Sequence, residues 1–150
     1  MQNIFNKTEA QNIIKRIETL TPESKGNWGK MDVSQMLAHC CVAYEMVYTN
    51  NHPEPNTFVK LLLKLFVKKA VVSEKPYPRN GRTAPQFIIA SEKDFNEEKT
   101  RLINYILKTA ELGEAHFEGK QSHSMGTLTA KEWNNSFAKH LEHHLTQFGV

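Results

Sequence analysis

The segment His140-Leu141-Glu142-His143-His144 places three imidazoles within five residues, in a chain of 150 that has seven histidines in all. In a helix, His140 and His144 stand one turn apart, the spacing with which one helical face offers two ring nitrogens to a single cation. At about 100° per residue, Trp133, Phe137, His140, Leu141, His144 and Phe148 share one side, the pattern of a core-facing stripe. His143 points away from that stripe, toward its edge or the solvent. An imidazole buried without a partner costs about 1–3 kcal/mol, so rings set into an apolar face need partners. A metal ion satisfies both, whereas an exposed helix C-terminus merely favours protonated histidine through the macrodipole. Neutral imidazoles suit zinc, nickel, copper or ferrous iron, and three protein ligands leave a coordination position open for water or substrate.

Those residues must be delivered by elements. The last helix is marked by Thr129 with Glu132 three residues later, a capping box, and runs to about Phe148. A second capping box, Asp32 with Gln35, opens a helix that continues to roughly Thr49 and stops at Asn50-Asn51-His52-Pro53. Val33, Met36, Leu37, Cys40, Tyr44 and Val47 define its core face, with His39 on the flank. A first helix spans about Thr8 to Leu20, with Ile13, Ile14, Ile17 and Leu20 apolar. Trp28 is the one large apolar anchor of the turn that follows. Asn56 to Val72 reads as a shorter helix, with Phe58, Leu61, Leu62, Leu65 and Phe66 on its apolar side and Lys60, Lys64, Lys68 and Lys69 on the other. Pro76, Pro78, Gly81 and Pro85 make Ser73 to Pro85 an irregular loop. Ser91 is the expected N-cap of a long helix to about Thr109, with Phe95, Leu102, Ile103, Ile106 and the stem of Lys99 inward. A glycine-containing loop with His116 and His123 fills Leu112 to Leu128, and the one expected extended piece is Gln86 to Ala90. These elements predict a single all-α domain over residues 1–150, an antiparallel four-helix bundle with one short extra helix. Bundles build cofactor sites from side chains on facing helices, which makes His39 the natural third member beside His140 and His144.

Two segments carry a family resemblance. Trp28-Gly29-Lys30-Met31-Asp32-Val33-Ser34-Gln35-Met36-Leu37-Ala38-His39 resembles the stretch before the first metal histidine in the DinB/YfiT-like superfamily. There, a tryptophan-containing turn leads into a helix whose Met-Leu-x-His supplies a ligand. His140-Leu141-Glu142-His143-His144-Leu145-Thr146-Gln147-Phe148-Gly149 resembles that superfamily's His-x-x-His-His ending. It is closer still to a DinB-related subfamily of this length that finishes His-His-Leu-x-Gln-Phe-Gly. The resemblance implies a DinB-like four-helix bundle, a three-histidine divalent-metal site at His39, His140 and His144, and activity as a metal-dependent hydrolase or a thiol-dependent S-transferase. It also implies a low-molecular-weight thiol as co-substrate. His123-Ser124-Met125-Gly126 resembles a His-Pro-x-x-Gly element of the subfamily, with Ser124 where proline is common.

Within that reading the metal is zinc or nickel, and His143 is a weak candidate for a proton acceptor, its bland alternative being a surface residue. Tyr44 is expected in the core. Cys40 and Cys41, adjacent in sequence, are expected as free thiols outside the metal shell, in a reducing cytoplasm. No N-terminal run has the charges, apolar stretch and cleavage site of a secretory signal, and no uncharged apolar run reaches the roughly 18 residues of a membrane span. The net charge of +3 is too small to imply nucleic acid. The basic stretch from Lys60 to Arg82 carries no nucleic-acid motif and reads as a solvated face, so neither nucleic acid nor membrane is expected as partner. The apolar side of the same helix offers a homodimer surface. The second functional reading is a non-catalytic bundle that binds a small molecule or a protein, with the metal structural or absent.

Overall fold

A computed structural model describes residues 1–150. α1 (Lys7–Glu18) starts at Asn6, whose side chain accepts hydrogen bonds from the N–H groups of Thr8 and Glu9. α2 (Val33–Tyr48) has the expected capping box of Asp32 and Gln35. α3 (Thr57–Leu62) begins at Asn56, passes through a π-turn (Leu63–Val67) and continues as α4 (Lys68–Val72). α5 (Phe95–Phe117) precedes a two-stranded antiparallel hairpin, β1 (Gln121–Ser122) and β2 (Gly126–Thr127). α6 (Ala130–Gln147) has the second expected capping box, Thr129 with Glu132. The chain is mostly helical, and no helix is long and apolar enough to cross a membrane.

Three boundaries differ from the sequence reading, each for a local reason. The N-cap of α5 is Asp94 rather than Ser91, because the Asp94 carboxylate accepts from the Glu97 N–H while its charge faces the positive end of the helix dipole. α5 also runs beyond Thr109: Gly113 leaves helical geometry at φ 69°, a conformation glycine takes cheaply, and the helix resumes to Phe117. The piece expected to be extended, Gln86 to Ala90, instead begins inside a 3-10 turn, Pro85–Phe87, whose proline pre-sets the first φ.

α2 packs against α5 and α6, and α5 against α1 and α6. Between α2 and α6 the core is a row of aromatic rings. Tyr44 stacks on Phe137 with centroids 4.6 Å apart and on Tyr105 at 5.7 Å, and Phe137 in turn stacks on Trp133 at 5.5 Å. This row lies one to two turns from the histidines on each helix, so it sets the spacing and rotation at which α2 and α6 present them. Lys99 is drawn inward as expected, its Nζ donating to the carbonyls of Glu18 and Leu20 at the end of α1.

The segment after α4 is fastened to α6 by polar side chains in a buried position. Lys139, 4% exposed, donates to the carbonyls of Ala70 at 2.7 Å and Ser73 at 2.5 Å. Asn135 donates to the Val72 carbonyl at 2.8 Å. These bonds satisfy carbonyls that the end of α4 would leave orphaned. They also hold the irregular strap 73–90 beside the stretch of α6 that carries His140.

Candidate metal centre

α2 supplies His39 from its second turn, and α6 supplies His140 and His144 from successive turns. Their ligand nitrogens all lie within 4.8 Å of one another. His39 Nε2 is 2.8 Å from His140 Nε2, and the three ring centroids are 4.5–4.8 Å apart. The chain therefore brings together the three imidazoles that spacing and resemblance single out. His39 and His144 are buried, while His140 retains partial exposure.

Hydrogen bonds behind the rings decide which nitrogens face inward. His39 Nδ1 lies 2.8 Å from the carbonyl of Phe87. A carbonyl can only accept, so this nitrogen carries the proton and the neutral ring presents its Nε2 lone pair to the cluster. His144 Nδ1 lies 2.8 Å from Gln147 Oε1, while Gln147 Nε2 donates to the Trp28 carbonyl at 2.6 Å. The second bond fixes which end of the amide is oxygen, and hence the His144 tautomer. Two lone pairs are thus held toward a common point, an arrangement that repels unless a cation or a donor lies between them. Tetrahedral zinc with bonds of about 2.0–2.1 Å sets its nitrogens about 3.3 Å apart, within side-chain adjustment of the distances found. The donor set fits a divalent metal, and the Nδ1 bonds are of the kind that orients metal-binding histidines.

Gln147 depends on the turn that sequence analysis assigned to Trp28. Gly29 has φ 85°, and a Cβ there would come 2.5 Å from Gln147 Nε2. The turn thus requires glycine both for its backbone and for the close approach of the side chain that orients His144. Gln147→Leu should weaken metal binding about 10–100-fold, as loss of such orienting bonds does elsewhere. Competition against a chromophoric chelator would measure it; an unchanged affinity would show that Gln147 only braces the turn.

Burial opposes charge on all three rings. It holds the His39 pKa below the ordinary histidine value, against the raising effect of the Phe87 carbonyl. It pushes His140 well below, helped by repulsion from His39 and His144. Burial takes His144 down to about 3, and the charge of His39 acts in the same direction. The unfolded chain binds a proton at each ring near pH 6.5, and the folded chain declines it. Stability of the metal-free protein is therefore complete above about pH 6.5 and falls with acidification, by about 1.4 kcal/mol per pH unit for His144 alone until its folded pKa is reached. Guanidinium unfolding of chelator-stripped protein from pH 7 to 5 should show this slope, and His144→Gln should reduce it by about that amount. Equal slopes in the two proteins would show that His144 does not resist protonation.

The rim of the site is aromatic. His143, half-buried, meets His144 edge-on at 4.9 Å, Tyr77 at 5.8 Å and Trp28 at 5.9 Å. It packs against these rings rather than standing free in solvent, and partial burial lowers its pKa. Arg79 lies over the Trp28 ring at 4.4 Å, and the buried Trp28 Nε1 has no hydrogen-bond partner. The Phe87 carbonyl, Tyr77 and Arg79, all on the strap, and the Gln147 amide were not singled out from sequence. Of these only Gln147 had a signal, its place in the His-His-Leu-x-Gln-Phe-Gly ending.

The remaining candidates lie elsewhere. Tyr44 is in the core as expected, its hydroxyl unpartnered and its pKa raised well above normal by burial. Cys40 and Cys41 are buried free thiols, their sulfurs against Met36 and the Glu98 carbonyl. Burial raises both thiol pKa values, that of Cys41 to about 12, so neither is a ready thiolate. His116 pairs with Lys120, and His52 with Glu45. His123 donates to the His52 carbonyl at a polar cleft of about 530 Å³ whose lining includes none of the three clustered histidines.

Residues 3–149 match a protein family described as "Protein of unknown function (DUF1569)". The match covers nearly the whole chain, which belongs to that family. No curated protein and no solved structure matches it.

Proposed function

We propose that this member of the DUF1569 family is a divalent-metal protein of the DinB/YfiT kind, an antiparallel four-helix bundle that acts as a thiol-dependent transferase or a metal-dependent hydrolase on a small molecule. The observation that carries the reading is the convergence of His39, His140 and His144 with His39 and His144 locked as Nε2 lone-pair donors. Zinc or nickel suits this ligand set. When bound, such an ion supplies Lewis acidity and lowers the pKa of water or a thiol placed against it.

The chain's own residues shape what approaches. Partial exposure of His140 provides the opening. His143 at the mouth, its pKa lowered, is neutral at pH 7 and able to take a proton from an incoming thiol or water. Trp28 and Tyr77 flank it edge-on and shield part of the ring from water. Arg79, stacked on Trp28 and without an ion-pair partner, offers donors suited to an anionic group on the substrate.

The test uses protein purified without a histidine tag, stripped and reloaded with cobalt. Adding a small thiol such as 2-mercaptoethanol should produce a thiolate-to-cobalt absorption band that the His39→Ala variant lacks. A spectrum indifferent to thiols would remove the transferase reading and leave hydrolysis, to be assayed with activated esters and amides. Failure to take up cobalt would remove both.

A further inference from the structure

The helical stretch from α3 to α4 is turned the wrong way for a structural element of the core. Phe58 is 69% exposed, Leu65 62% and Phe66 76%, with Leu61, Leu62, Val59 and Val67 exposed beside them. At about 100° per residue Phe58, Leu61, Leu62 and Leu65 fall on one side, so the exposure is a continuous face rather than scattered residues. Of the lysines that border it, Lys68 is drawn down onto the body, where it pairs with Glu132 at 3.0 Å and donates to the Thr127 carbonyl, while Lys60 pairs with the exposed Glu54 of the preceding loop. Lys64 and Lys69 stay exposed. The C-terminal end of the stretch is fixed to α6 through Lys139 and Asn135. The apolar face is thus presented on an anchored support.

Charge selects among its occupants. From Lys60 to Lys75 the chain carries five lysines against the single acid Glu74. The whole chain is only +3, so this region concentrates positive charge while the remainder is net acidic. Two copies meeting face to face here would oppose like charge with like charge. An anionic bilayer offers lipid tails to the phenylalanines and leucines and phosphates to the lysines, whose stems can reach up from the helix sides. No helix is suited to cross a membrane, so the mode is lying on the surface.

We propose that the α3–α4 stretch is a membrane-docking helix that seats Phe58, Leu61, Leu65 and Phe66 in the headgroup layer of an anionic bilayer. This departs from the sequence expectation of no membrane partner, because the sequence did not reveal that the apolar face is left uncovered. The proposal is independent of the metal reading, since no residue it uses belongs to the histidine group.

The test is co-sedimentation of the full chain with vesicles of phosphatidylcholine and phosphatidylglycerol in equal parts, beside vesicles of phosphatidylcholine alone. Binding is expected to the first, about tenfold or more tighter than to the second, and to weaken as salt is raised. Phe58→Ser/Phe66→Ser should lower partitioning about tenfold or more, and Lys64→Glu/Lys69→Glu should remove the preference for anionic lipid. All four positions are exposed, and circular dichroism checks that the variants keep their helices. No binding to anionic vesicles, or binding untouched by the phenylalanine substitutions, overturns the proposal. A dimer in sedimentation equilibrium that Phe66→Ser dissolves, in protein that ignores vesicles, overturns it too and assigns the face to a second copy.

Discussion

His140→Ala should empty the site of divalent metal and bring the melting temperature of metal-loaded protein down to that of chelator-stripped protein. Two imidazoles remain after the substitution, both on rings whose Nδ1 protons are already committed to Phe87 and Gln147. An ion that binds only the folded chain stabilises it by about 4 kcal/mol when free metal is a thousandfold above its dissociation constant. For a domain of this length that corresponds to about 10 °C in melting temperature. The diagnostic is the contrast between the two forms. In stripped protein the same substitution should cost only the ring's contacts with His39 and Phe87, a smaller loss than that of the bound metal. The measurement is elemental analysis of untagged protein together with melting curves with and without a chelator. Wild type that carries no metal after incubation with zinc and nickel, and melts identically with chelator present, would end the metal reading.

The parts of this site that could be read from sequence were those encoded locally. The capping boxes at Asp32 and Thr129 and the stripe through Trp133, Phe137 and His144 are relations within one or two helical turns, which hydrogen-bond geometry and the 3.6-residue period fix. Ser91 and Asp94 lie three residues apart and both residue types cap helices; the structure uses Asp94, whose oxygen meets Glu97 N–H. What orients His39 is a carbonyl 48 residues along the chain, held by a strap with no periodicity of its own. Backbone oxygens have no sequence signature, so no spacing rule could have proposed Phe87. Lys139 shows the same limit. A lysine in a helix is ordinarily a solvated residue, and its burial follows only once the carbonyls of Ala70 and Ser73 are placed beside it. The period likewise identified an apolar side on α3 without revealing whether another element covers it.

Phe137→Ala is expected to cost about 3–5 kcal/mol of folding stability, the usual range for truncating a buried phenylalanine. Phe137 is 1% exposed and packs against rings from three helices: Tyr44 from α2, Trp133 one turn back on α6, and Phe117 edge-on from the end of α5. Removing the ring leaves a void that the flat faces of Tyr44 and Trp133 cannot close without shifting α2 against α6. It also sits one turn before His140 and Leu141, so relaxation of that void moves two of the three ligands relative to His39. The expected result is a large fall in the denaturant midpoint of both stripped and loaded protein, with metal affinity weakened well below the loss caused by His140→Ala. Phe137→Leu, which keeps most of the volume, should recover more than half of the stability and nearly all of the affinity. The discriminating outcome is a Phe137→Ala protein that loses stability as expected yet binds metal as tightly as wild type. In that case the strap and Gln147, rather than the packing of α2 on α6, would hold the histidines in register.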